Sequence, residues 1–322
     1  MYIFLKRYLL LFLMIACFSA SAQQVIFTVT GVKGLAKADN TTLKVGLKIK
    51  NNQTLQIEPN TYLSLATTDN RILEVTKQGI YSVKDLLARV PLRQELNASY
   101  VAFVVSELTK GSEEQIAAKN RFQHMNKTGA VKRAAGGTLA STKSKKAPYD
   151  FSFLLEYIDT ENGHTLFGNM LELGWKVIQS GKAEEIASYE VEILGLDETS
   201  LFSQTVHGTE ISIDLTYLDL AGKEGIICRV MPLDKDGAFW AGEKESYDML
   251  VNLLSEEKKR EISAMLAPSR TATEKLVEAK FFEDQKLFID AIHAYKEAQR
   301  LAENNQLYEE LYYRFWLRNS EK

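Results

Sequence analysis

Cysteine is nearly missing from this 322-residue chain, which holds two, Cys17 and Cys228. Histidine is scarce as well: His124, His164, His207 and His293 stand apart, with no His-x-x-x-His spacing and no cysteine pair, a pattern that offers no metal centre. No glycine-rich phosphate loop or dinucleotide fingerprint occurs, since Gly136-Gly137 has no strand before it. No nucleophile elbow is present either. Carboxylates are plentiful, as in Asp159-Thr160-Glu161, Asp234-Lys235-Asp236 and Glu256-Glu257. These read as solvated turns and helix starts, with a glycosidase-like acid pair as the alternative. A large excess of positive charge is also absent, the formal net charge being -3. That balance argues against general affinity for nucleic acid or anionic membranes. Neither a cofactor nor a catalytic residue is expected.

What is present begins with a leader. Lys6-Arg7, the apolar run from Tyr8 to Ala16, and Ala20-Ser21-Ala22 ahead of Gln23 have the order that export machinery and signal peptidase read. The apolar core falls short of the roughly 20 residues that span a bilayer. Residues 1–22 are therefore expected to be a signal peptide, cut between Ala22 and Gln23, placing the mature chain in the periplasm or cell envelope. Met14-Ile15-Ala16-Cys17 offers a second outcome, lipoprotein processing at Cys17, and only that would hold the protein to a membrane. Either way Cys228 has no intramolecular partner, and its apolar setting, Gly225 to Val230, suits a small buried hydrophobe.

Residues 23–110 open with short apolar runs between Gly, Asn and Asp turns: Val25 to Val29, Leu43 to Gly46, Leu55 to Ile57, Tyr62 to Leu65 and Ile72 to Val75. Alternation in several of them gives strands with one buried and one wet face. A helix follows, with Val101, Val104, Val105 and Leu108 on one face, and is expected to flank this β domain. Gly31-Val32-Lys33-Gly34, the run from Leu43 to Ile49, Tyr62-Leu63-Ser64-Leu65 and Arg71 to Val75 together resemble the FecR-like domain, a β module named after an iron-uptake signalling regulator. The resemblance rests on apolar and turn positions. It implies a fold and carries no catalytic residue.

Composition changes at residues 111–148, which are poor in large apolar side chains and rich in Lys and Arg, as in Ser141-Thr142-Lys143-Ser144-Lys145-Lys146. Such a stretch buries too little to offset its ordering entropy and reads as a flexible basic linker. A tether for anionic envelope polymers is the functional alternative. Residues 149–242 return to short alternating runs: Leu171 to Trp175, Ser188 to Ile193, Ser200 to Ser203, Ile211 to Leu215 and Ile226 to Val230. Their succession resembles fibronectin type III and related immunoglobulin-like sandwiches, with Trp175 as a core indole. Trp240 is the better candidate for an exposed aromatic.

Residues 243–322 are expected to be helical. Tyr247, Leu250, Val251 and Leu254 make one stripe, and Pro268 closes a second helix. Ala279, Phe282, Ala291, Tyr295 and Ala298 then fall at the small and aromatic positions of a tetratricopeptide repeat, which this segment resembles. Lys275 and Glu278 replace its usual large apolar residues, and Glu303 its usual proline. One repeat cannot bury itself, so the terminal helix with Tyr308, Leu311, Tyr312, Phe315 and Trp316 must cover it. Tyr308, Tyr312, Phe315 and Trp316 are also the candidate partner-binding residues.

The fold class expected is therefore multidomain β plus α: a small FecR-like β domain, a β-sandwich and a C-terminal helical hairpin repeat. Non-catalytic modules joined by a tether suit a cell-envelope scaffold that binds a protein or a surface polymer. A glycan-binding adhesin and the outer component of a FecR-type signalling system are the alternatives, with a hydrolase last. Limited proteolysis of the mature protein should cut first between Gly111 and Ala147 and leave two resistant fragments; a first cut elsewhere would refute the two-body arrangement.

Overall fold

A computed structural model describes residues 24–69, 71–90, 98–109, 149–158, 160, 163–179, 186–239, 247–266, 268–303 and 305–320. The leader with Cys17, Ala22 and Gln23, the basic segment 111–148, His124 and Trp240 lie outside the described residues. The architecture is β plus α, antiparallel sheets followed by a helical C-terminal region. It divides into two compact units, residues 1–92 and 93–322.

The first unit holds eight strands, β1 (Val25–Lys33), β2 (Ala36–Ala38), β3 (Thr41–Thr42), β4 (Lys48–Lys50), β5 (Thr54–Ile57), β6 (Tyr62–Thr67), β7 (Ile72–Val75) and β8 (Gly79–Ser82). They form two four-stranded sheets, ordered β4-β1-β6-β7 and β3-β2-β5-β8. Phe27, Val29, Ile49, Leu55, Leu63 and Leu65 fill a common core, joined by Val83 and Leu86 of the short helix α1 (Val83–Arg89). Leu43 to Gly46 is a turn rather than a strand. Leu43 still reaches the core, while Gly46 adopts φ 86° and donates its N–H to the Val29 carbonyl at 2.8 Å. At Gly34, φ is 88° and a Cβ would stand 2.7 Å from the Thr61 hydroxyl, so both backbone and space require glycine there.

Among the described residues, the second unit contains two sheets. β10 (His164–Leu166), β16 (Tyr247–Leu253), β15 (Gly225–Leu233), β12 (Ser188–Gly195) and β13 (Ser200–Val206) lie in that order, and β10 pairs parallel to β16. β14 (Glu210–Asp214), β11 (Met170–Gln179) and β9 (Tyr149–Phe153) make the other. The sheets meet through Trp175 against Tyr189, rings 5.3 Å apart, and Phe151 stacked on Tyr247 at 4.1 Å. Cys228 is fully buried between them, and burial raises its thiol pKa far above the ordinary range. β16 corrects the helical stripe expected at Tyr247, Leu250, Val251 and Leu254. Met249 and Val251 are buried while Asp248 is exposed, a period of two, so the β region continues past residue 242.

Six helices occur among the described residues, four of them in the C-terminal region: α3 (Glu256–Met265), α4 (Ala272–Asp284), α5 (Phe288–Leu301) and α6 (Gln306–Ser320). α4 starts on a capping box between Thr271 and Glu274 and turns into α5 through Lys286 at φ 62°. Ala279, Ala291 and Ala298 are fully buried in this hairpin, where a larger side chain would hold the helices apart. Phe282 and Tyr295 fill the space beside them.

The helix α2 (Ala98–Thr109) belongs to the second unit, not to the first as its place in the sequence suggests. Val101, Val104 and Leu108 are buried, Tyr100 meets Phe281 edge to face at 5.9 Å, and Phe103 lies under Lys280 and Arg318. A buried ion pair locks the contact, Arg314 donating to Glu107 at 2.9 Å. Breaking such a buried pair by removing one partner is strongly destabilising. Arg314→Met should cost about 3 kcal/mol in urea unfolding, and Glu107→Leu added to it should recover most of that loss. A double variant no more stable than the single one would show that α2 is not held there.

Candidate functional site

β11 alternates as its sequence requires, with Leu171, Leu173 and Trp175 turned into the space between the sheets. Glu172, on the other face, would ordinarily meet water. Instead α5 lies across this sheet, and Glu172 is only 4% exposed. Its carboxylate accepts from Ser212 Oγ at 2.6 Å, His293 Nδ1 at 2.9 Å and Lys296 Nζ at 2.9 Å. Burial alone would push the carboxyl pKa up, but the bonds from His293, Lys296 and Ser212 outweigh it and hold the group at about 2. Burial likewise opposes the Lys296 ammonium, and Glu172 beside it raises that pKa above the usual lysine range.

One turn earlier on α5, Asp290 accepts from the backbone N–H groups of Phe167 at 2.9 Å and Gly168 at 2.7 Å, fixing the turn between β10 and β11. Burial wins at this carboxyl, raising its pKa to about 6 against those two bonds. Burial also lowers neighbouring His164 of β10 to about 4, so this imidazole is neutral at pH 7. Asp290, His293 and Lys296 thus form a polar stripe that joins helix to sheet.

Past this junction the helices and the sheet leave a cavity of about 580 Å³, lined by Glu210, Ile211 and Ser212 of β14, Lys296 and Gln299 of α5, and Glu309, Tyr312 and Tyr313 of α6. Its volume lies in the range of small-ligand sites. Lys296 reaches Glu210 at 3.1 Å, and the Tyr313 hydroxyl donates to Glu309. Ser212 and His293 both bond the Glu172 carboxylate. These contacts, with the one from Lys296, keep the Glu172 carboxylate ionised.

Of the candidate partner-binding residues, Tyr308 and Phe315 are fully buried and Trp316 nearly so. Tyr308 bonds Thr273 of α4, and Phe315 and Trp316 pack with Tyr295 and Tyr312 in one aromatic cluster. Tyr312 alone of the four lines the cavity. Trp175, at 2% exposure, offers no aromatic platform. Glu172, Glu210, Lys296 and Tyr313 were missed from sequence; the polar spacing Asp290, His293, Lys296 on a helix with buried alanines was the available signal.

Among the described residues no cluster of three or more His, Cys, Asp or Glu side chains is arranged to hold a metal ion, and no helix is long and apolar enough to cross a membrane. No protein-family model matches the chain, and no curated protein matches it in sequence.

The Glu172 junction has a pH signature. A carboxyl held below its unfolded value adds stability above that value and loses it as pH falls toward the folded one. From 4.5 down to about 2, Glu172 is worth on the order of 3 kcal/mol at neutral pH. Glu172→Gln should therefore be less stable than wild type at pH 7 by roughly that amount, with the gap closing as pH falls through this window in urea titrations. A gap independent of pH would refute the assignment.

Proposed function

We propose that the chain is an exported, non-catalytic binding protein of the cell envelope, recognising a partner protein or envelope polymer through its second unit. In this reading the first unit is a FecR-like module, the paired sheets an immunoglobulin-like sandwich, and α4 to α6 a tetratricopeptide-like unit. The two sheets with Trp175 buried between them support the second assignment, from whose antiparallel pattern the parallel pairing of β10 with β16 departs. The alanines buried where α4 and α5 approach support the third. Location follows from the leader, with membrane attachment only through a lipid on Cys17.

The observation that carries the reading is the cavity between β14, α5 and α6. Its polar floor is fixed by the Glu172 bonds, while its rim carries exposed groups and tyrosine rings, a preformed surface for recognition rather than for bond cleavage. Crosslinking in envelope fractions tests it. Removing residues after 243 would take out β16, an interior strand of its sheet, so a point substitution is the cleaner probe. Ile211→Trp, filling the cavity with an unchanged unfolding midpoint, should abolish the specific crosslinks that the wild-type protein makes; their persistence would move recognition elsewhere.

A further inference from the structure

The cavity also carries a chemical preference, resting on the binding reading above. Lys296 is the one cation in its lining among the described residues, and two carboxylates, Glu172 and Glu210, already share it at 2.9 and 3.1 Å. Glu309 brings a further carboxylate from α6, bonded by a tyrosine hydroxyl rather than by a cation. Within the lining itself, Glu210 and Glu309 against Lys296 leave an excess of negative charge. The Glu210 side chain is 70% exposed, so it can turn toward a ligand without opening the buried junction. Tyr312 and Tyr313 complete the wall opposite β14.

We infer that this cavity receives the guanidinium or ammonium side chain of a basic segment in a protein partner, with Glu210 and Glu309 as its carboxylate acceptors and Tyr312 and Tyr313 as its aromatic wall. Each part of the lining fits such a group. A guanidinium matches carboxylates in bidentate geometry and is attracted to aromatic rings. An anionic ligand would have to displace Glu210 from Lys296 and sit beside Glu309. A neutral glycan could use the same carboxylates and rings, but would leave the excess charge uncompensated in a partly enclosed site.

The probe is the capped tripeptide Gly-Arg-Gly, compared with its citrulline counterpart, which keeps the shape and loses the charge. Full-length protein should bind the arginine peptide saturably in calorimetry or by shifts of the Tyr312 and Tyr313 resonances, more weakly as salt rises. Citrulline should weaken binding by about tenfold or more, and so should Glu210→Gln with Glu309→Gln, one exposed and one half-buried position, neither of them bonded to Glu172. Equal binding of the two peptides, undiminished binding by the double variant, or tighter binding of a neutral oligosaccharide than of the arginine peptide would each overturn the inference. Loss of envelope crosslinks in Ile211→Trp without any arginine-peptide binding would sink the cationic ligand and spare the binding reading. Arginine-peptide binding with crosslinks unchanged would do the reverse.

Discussion

A carboxylate on the outer face of a β-strand is usually solvated, and at Glu172 a helix covers it instead. Burying that charge alone would cost several kcal/mol. Three donors on two other elements, Ser212, His293 and Lys296, meet it within 2.9 Å, so the charge is tolerated only while β11, β14 and α5 keep one arrangement. Packing alone could let the hairpin slide over the sheet. The shared carboxylate fixes its register, and Asp290 fixes the next turn of the same helix to Phe167 and Gly168.

The two buried acids of this junction answer pH in opposite senses because their donors differ. Glu172 has a cation beside it and favours ionisation, while Asp290 has backbone amides and is held at about 6 by burial. As pH rises from 3.8 toward 6, the folded state holds the Asp290 proton more tightly than the unfolded chain does, so ionising this group costs stability over that range. His164, lowered to about 4, works the other way, its stabilising effect being lost as pH falls from 6.5. Near neutrality charged Glu172 and neutral His164 both favour the fold, while ionised Asp290 opposes it.

Strands with strict alternation were legible in the sequence: Leu171 to Trp175 and Ser188 to Ile193 each lie within a strand whose buried face the pattern shows. Tyr247 to Leu253 was not, because apolar residues at 247, 250, 251 and 254 satisfy a helical period by coincidence while Met249 and Val251 carry the true period of two. The helix at Val101, Val104 and Leu108 was legible as an element, but a buried stripe says nothing of what buries it. Glu107, which ties α2 to Arg314, is an ordinary surface acid until the fold brings α6 to it. The cavity failed for the same reason. Its charged residues come from three elements, with 86 positions separating Glu210 from Lys296, and each alone reads as a solvated position.

A lone helical hairpin such as α4 with α5 has open faces that other elements must cover. Here the covering comes from unlike elements: the sheet of β11 and β14 takes one side of α5, and α2 takes the side where α4 and α6 meet it. Both contacts use buried ions, Glu172 with Lys296 and Glu107 with Arg314, and a third, Glu283 with Arg318 at 2.9 Å, joins α4 to α6. Ion pairs of this kind gain little over apolar residues of the same size but penalise every alternative docking that separates them. They suit a hairpin without repeats of its own kind, because apolar faces alone would not distinguish a sheet from another helix. Where these covers end, between β14 and the helices α5 and α6, the hairpin keeps a lined opening, and its Lys296 is already spoken for by the contact that closes the rest.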